Sequence, residues 1–230
     1  VMDDGSLLSL IQNMDKVESF KFLQGCKCCF SHQLKRPKLV KKGNEVSHSL
    51  LFHKRYNIFM FPKHHQRRYN LTLRFLQKVL PAPATILDLG VKNPFSEIME
   101  QNGYTVFNTS GEDLDILPEI VKKYNVDAVT AFEIFEHLIA PFNVLSKIKS
   151  TKLIASVPLN LWFAKAYRSK TDLWDRHYHE FEDWQFDWLL EKSSWKIIET
   201  QKWTSPIKKI GFRPILRTFT PRYYIVYAKR

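Results

Sequence analysis

The sequence predicts a doubly wound α/β domain with a mostly parallel sheet over about residues 67–230, behind a basic arm at residues 1–66. Short apolar runs at 85–89, 104–107, 126–130 and 153–157 have the length of buried strands. Segments of helical period separate them, and strands alternating with helices imply right-handed crossovers onto a parallel sheet. The organising stretch is Thr85-Ile86-Leu87-Asp88-Leu89-Gly90, followed by Val91-Lys92-Asn93-Pro94. It reads as a strand that stops at Asp-x-Gly and hands over to a helix N-terminus. Open α/β folds place backbone amides beside a nucleotide in this way.

The bulk numbers fit that reading. A chain of 230 residues with 44% apolar content holds one ordinary domain plus an extension. No run approaches the ~18 apolar residues of a membrane helix. Residues 1–15 lack a basic start followed by an apolar run, so no secretory signal is expected. Cys26, Cys28 and Cys29 are the only cysteines. An odd, clustered set argues against a disulfide scaffold, and a cytoplasmic location is the default expectation. With His32 they make a crowded, poor tetrahedron, so no metal is expected there. Charge is uneven. Residues 1–80 carry a balance of +10, residues 81–201 one of −6, and residues 202–230 eight cations and no acid. The basic flanks suggest an anionic partner such as nucleic acid, a phosphorylated substrate or an anionic membrane surface; a solubilising surface is the plainer alternative.

In chain order, Leu7, Leu8, Leu10, Ile11 and Met14 fit one face of a short helix, and Lys35–Lys42 is linker chemistry. Residues 51–66 interleave aromatics with cations, a mix that can stack on bases or simply cap the core. Tyr69, Leu71, Leu73, Phe75, Leu76, Val79 and Leu80 predict a helix over 67–80, ended by Pro81 and Pro83. Pro94 opens a second helix that stops at Asn102-Gly103. Further helices are expected at 116–124, 141–149 and 180–192, with closing strands at 195–203 and 222–228.

At this point the residues support a family resemblance. Ile86-Leu87-Asp88-Leu89-Gly90, then Val126-Asp127-Ala128-Val129-Thr130-Ala131-Phe132-Glu133-Ile134-Phe135-Glu136-His137-Leu138, then Leu153-Ile154-Ala155-Ser156-Val157-Pro158 resemble a class I S-adenosylmethionine-dependent methyltransferase. The likeness is to the small-molecule type with Glu-His-Leu after its fourth strand. Arg176-His177-Tyr178-His179-Glu180-Phe181 resembles that group's entry to its last helix. The match covers about residues 67–203 and implies a Rossmann-like methyltransferase topology, with S-adenosylmethionine as cofactor and a small molecule or glycan intermediate, ahead of RNA, as acceptor.

The resemblance also implies roles. Asp88 would orient the loop and the cofactor's amino group, although a helix cap is the plainer reading. Gly90 would lend its backbone beside the methionine part. Lys92 stands at a position where the family has glycine, and would narrow the pocket or reach the cofactor carboxylate. Asn108 stands where the family has the acid that holds both ribose hydroxyls. An amide can still hydrogen-bond there, without charge assistance. Asp113 is a candidate for adenine or ribose. Phe132 and Glu133 lie where the family lines the adenosine and sulfonium. Only about eighteen residues separate Asn108 from Asp127, so the family's third strand is expected to be short or missing.

Methyl transfer from a sulfonium is an in-line displacement by an activated donor, so alignment and water exclusion supply most of the catalysis. A base is needed for a hydroxyl or protonated amine, and His137, His177 and His179 are the candidates. His177 and His179 with Glu180 or Asp175 are too thin a set to predict a metal. Trp162, Phe163, Tyr167 and Trp174 are expected to form a lid or acceptor wall, or ordinary packing over the sheet edge. Two rival readings stand beside the enzyme. One is a non-catalytic module that binds nucleic acid or a protein partner through the basic flanks. The other is a nicotinamide-dependent enzyme, disfavoured by the missing Gly-x-Gly-x-x-Gly.

Overall fold

The computed structural model describes residues 63–172, 175–206 and 209–230. Residues 1–62 of the arm, with its cysteines, and Trp174 lie outside the described residues. Helix α1 (Lys63–Val79) leads into strand β1 (Ala84–Asp88), helix α2 (Pro94–Gln101) and strand β2 (Tyr104–Asn108). A 3-10 turn at Pro118–Lys123 precedes strand β3 (Ala128–Phe132), and a second at Phe135–His137 precedes helix α3 (Pro141–Lys147). Strand β4 (Lys152–Pro158), helix α4 (Asp183–Lys192), strand β5 (Lys196–Thr204), helix α5 (Phe212–Phe219) and strand β6 (Pro221–Lys229) complete the chain.

The six strands form one sheet in the order β2-β1-β3-β4-β6-β5. Neighbours from β2 to β4 are parallel, while β6 runs antiparallel to both β4 and β5. Only β6 is therefore reversed, and the sheet is mostly parallel. The order turns back on itself at β1, and the crevice beyond the carboxyl ends of β1 and β3 is where such sheets bind ligands. Along the chain no described strand separates β2 from β3, in keeping with the short Asn108–Asp127 spacing.

The period of two along each strand splits the core between the faces. Ile86, Ala128, Phe132, Ile154, Ile225 and Tyr227 pack with α1 and α2 residues such as Leu76, Phe95 and Met99. Leu87, Val129, Ala131, Ala155, Val157 and Val226 face the other way, onto α3 and α4 through Val144, Leu145, Phe186 and Leu190. Both faces are covered, which makes the sheet doubly wound. Helix α1 begins at Lys63, so an arm ending at residue 66 would cut through its first turn. The segment read as a helix over 116–124 tightens to the 3-10 turn behind Pro118.

Candidate active site

Every strong polar cluster around the site sits at the carboxyl end of the parallel strands. The first is built on Asp88, the buried last residue of β1. Its Oδ1 accepts from Thr130 Oγ1 at 2.8 Å, and its Oδ2 accepts from Ser96 Oγ at 2.9 Å. Asn93 Nδ2 and Asn108 Nδ2 each approach Oδ2 at 3.3 Å. One carboxylate thus ties the ends of β1, β2 and β3 to the start of α2. Burial pushes its carboxyl up to about 6, against the pull of Thr130, Ser96, Asn108 and Asn93.

The loop after β1 follows from its residues. Gly90 has φ +100°, a backbone that side-chain-bearing residues rarely adopt. Its N–H donates to Thr109 Oγ1 at 2.9 Å. A Cβ there would stand 3.4 Å from Ile134 Cδ1. Asn93 caps α2 by accepting from Phe95 N and Ser96 N, and Ser96 Oγ accepts from Asn93 N in return. Pro94 fills the first helical position.

Asn108 and Lys92 take partners within the chain. The Asn108 amide points inward and donates toward Asp88 and toward the Gly90 carbonyl at 3.3 Å. Lys92 Nζ pairs with both carboxylate oxygens of Glu100 at 2.8 Å. Asp113 Oδ1 accepts from Asp115 N, closing an Asx turn. Asp115, which the sequence reading passed over, does more. Its two oxygens accept from Ile139 N and Ala140 N, each at 2.8 Å, and so lash the loop after β2 to the loop after β3.

The second cluster centres on Glu133. Phe132 is a core residue, edge-on to Phe95 at 5.3 Å between centroids. Glu133, one step on, is a buried non-glycine residue at φ +58°. A backbone of this kind costs on the order of 1–3 kcal/mol and collects at functional sites. Its N–H donates to Ser156 O at 2.9 Å, and its Oε1 accepts from Ser156 Oγ at 3.1 Å. Arg68 of α1 comes within 3.5 Å of Oε2. Burial holds the Glu133 carboxyl above the usual range, with Arg68 and then Arg222 opposing it. Arg68 is itself buried and lies 5.5 Å from the Tyr223 ring centre. A signal for it was present, because Arg68 shares the four-residue stripe of Thr72 and Leu76, both fully buried.

The third cluster joins two of the predicted histidines. His137 and His177 meet edge-on at 4.8 Å between ring centroids, and Tyr167 packs on His177 at 4.6 Å. His137 Nδ1 lies 2.9 Å from the Arg176 carbonyl, which can only accept, so Nδ1 carries a proton. His137 Nε2 then faces the fully buried Glu136 carboxylate at 3.7 Å. Glu136, His137 and His177 each offer a ligand atom within 4.8 Å of the others, a set able to hold a divalent cation. His179 is placed apart. Its Nε2 sits 3.2 Å from the Ile139 carbonyl, and its ring stacks on Phe181 at 5.3 Å. The backbone N–H groups of Tyr178 and His179 both donate to the Glu136 carbonyl, pinning the 176–179 segment over the β3 loop.

Beside His177 opens a cleft of ≈ 470 Å³, lined by Tyr167, Arg168, Ser169, Lys170, Arg176 and Tyr178. Among the described residues, three cations and no carboxylate line it. Of the expected aromatic wall, Tyr167 faces this cleft, whereas Trp162 stands out in solvent against Phe163.

The sheet order, the reversed last strand and the Asp-x-Gly turn at the crevice now stand together. The fold is a doubly wound, mostly parallel α/β sheet with one reversed strand. No family model matches the chain, and no curated protein matches it. Among solved structures it is similar to the Burkholderia thailandensis 1,6-didemethyltoxoflavin-N1-methyltransferase, bound to 1,6-didemethyltoxoflavin and S-adenosylhomocysteine. That match has 14% identity and a TM-score of 0.48, covering 76% of this chain and 81% of that one. It is also similar to an S-adenosylmethionine-dependent methyltransferase from Archaeoglobus fulgidus, at 16% identity and TM-score 0.45, covering 70% and 94%. A third is the cyclase SpnF, at 13% identity and TM-score 0.49, covering 72% and 82%. None of these three reaches a TM-score of 0.5.

Proposed function

We propose that this protein is an S-adenosylmethionine-dependent methyltransferase whose acceptor is a small molecule entering the basic cleft beside His177. The observation that carries the reading is the shared location of two clusters. The Asp88–Gly90 turn and the His137–His177 pair both lie beyond the carboxyl ends of β1 and β3. S-adenosylmethionine would lie over the turn, with Gly90 giving close backbone approach and Glu133, buried and held by Ser156 and Arg68, supporting the loop after β3 from behind. Asp88 and Asn108 act one step back, holding the loop in shape rather than reaching the cofactor through their inward atoms.

When bound, S-adenosylmethionine would supply an activated methyl group for in-line transfer to the acceptor's lone pair, with its sulfonium as the leaving thioether. If the acceptor is a hydroxyl, its proton goes to His137 Nε2. There Glu136 meets the new charge, and the Arg176 carbonyl keeps the ring in register. His177 closes the other side of the acceptor, and His179 positions the loop. Three cations in the cleft favour an acceptor carrying an anionic group.

Transfer of labelled methyl groups to a panel of phosphorylated and uncharged acceptors tests the reading. His137→Ala should lower turnover roughly a hundredfold while cofactor affinity stays unchanged, the behaviour of a lost proton acceptor. Equal loss of cofactor binding would contradict the role. A second reading, a binding module without catalysis, is favoured by one observation: Lys92 and the Asn108 amide are both engaged within the chain. It predicts salt-dependent nucleic-acid binding with no cofactor affinity.

A further inference from the structure

Helix α5 presents its apolar side to solvent. At 100° per residue, Phe212, Ile215, Leu216 and Phe219 fall on one side, and Arg213 and Arg217 flank them. Amphipathic surface helices normally turn the apolar stripe inward, yet no residue of α5 is buried. Phe212 is 70% exposed, Ile215 58% and Phe219 78%, and Ile210 just before the helix is fully exposed. From residue 202 to 230 the chain carries eight cations and no acid.

The position of this surface follows from strand register. Tyr223 of β6 pairs with Pro158 at the carboxyl end of β4, and Leu159 N donates to Arg222 O at 2.8 Å. Helix α5 runs directly into this end of β6, at the same edge of the sheet as Asp88, Glu133 and the histidines. Trp162, 73% exposed, follows β4 at that end too.

We propose that α5 docks on an anionic lipid bilayer, inserting Phe212, Ile215 and Phe219 among the acyl chains while Arg213 and Arg217 contact lipid phosphates. An interfacial helix needs this combination of a bare apolar side and flanking cations. Other occupants fit less well. Single-stranded nucleic acid is held by stacking and phosphate contacts, in which Ile210 and Ile215 have no part. A second copy would have to cover far more than four side chains to reach the ~800 Å² per partner of a stable interface. Combined with the proposed methyltransferase activity, this docking would present the site to an acceptor held at the membrane surface.

Co-sedimentation of the full chain with vesicles tests the proposal, without cofactor, so its outcome is independent of the methyltransferase reading. Vesicles of phosphatidylcholine mixed with phosphatidylglycerol should bind the protein, and pure phosphatidylcholine should bind it far less. Ile215→Glu with Phe219→Glu should lower vesicle affinity roughly tenfold or more. Arg213→Glu with Arg217→Glu should remove the preference for anionic lipid. Thermal unfolding should change little for Ile215→Glu with Phe219→Glu, since both side chains are exposed. Vesicle binding that survives both pairs would overturn the proposal. So would RNA binding or self-association that depends on the same residues in the absence of vesicle binding.

Discussion

Glu133 and Arg68 show what single residues contribute. A buried carboxylate at φ +58° persists because Ser156 holds it twice and a buried guanidinium faces it. Removing one partner takes away part of the compensation of the other buried charge. Arg68→Met or Glu133→Gln alone should each cost on the order of 3–5 kcal/mol, while the double variant should cost clearly less than their sum. Denaturant unfolding of the four proteins gives the coupling directly, and strict additivity would show that the pair is not an energetic unit. Sequence reading placed Glu133 at the mouth of β3 but passed over Arg68, whose partner lies 65 positions along the chain. Helical period alone marks Arg68 as inward-facing; it does not say what it meets. The same limit applies to Asp115, which looks like any loop acid until the Ile139 and Ala140 amides are seen above it.

At the scale of elements, the Asp88 cluster joins three strands and a helix through one side chain. Its folded carboxyl is pushed up to about 6 from an ordinary 3.8. The folded state therefore holds this proton more tightly than the unfolded chain does. Asp88 thus favours folding most below about pH 4, and that contribution is lost as pH rises through about 6. Asp88→Asn removes the titration and keeps a hydrogen-bonding side chain. The melting temperature of the variant, relative to the parent, should rise between about pH 4 and about pH 6. A difference flat across that window would refute the assignment. The strand ending at Asp88 was legible because apolar runs bounded by Gly and Pro have few alternatives. The role of Asn108 was not. Its position suggested a ribose contact, and only tertiary structure shows the amide turned toward Asp88 and Gly90. The helix read at 116–124 is a 3-10 turn at Pro118–Lys123 instead, in a short connection between β2 and β3.

For the whole molecule, topology was the most legible feature. Strand and helix alternation set the parallel sheet, and the short Asn108–Asp127 spacing matched a chain that runs from β2 to β3 through a 3-10 turn and no further strand. Among the described residues, no helix is long and apolar enough to cross a membrane. The sequence showed the C-terminal run of cations but not the outward apolar side of α5, because periodicity fixes a helix's stripe without fixing the direction it faces. The basic cleft was hidden for a similar reason: Arg168, Lys170 and Arg176 become one surface only once the 176–179 segment is pinned over the β3 loop.

The central claim is that the turn from Asp88 to Asn93, with its single glycine, still holds the methyl donor. Calorimetric titration of the protein with S-adenosylmethionine and S-adenosylhomocysteine, paired with thermal unfolding, tests it most directly. Saturable binding of both is predicted, with a stabilisation of about 2.7 kcal/mol at a hundredfold excess over Kd. No heat and no shift in melting temperature with either ligand would contradict the methyltransferase reading and leave the binding module in its place.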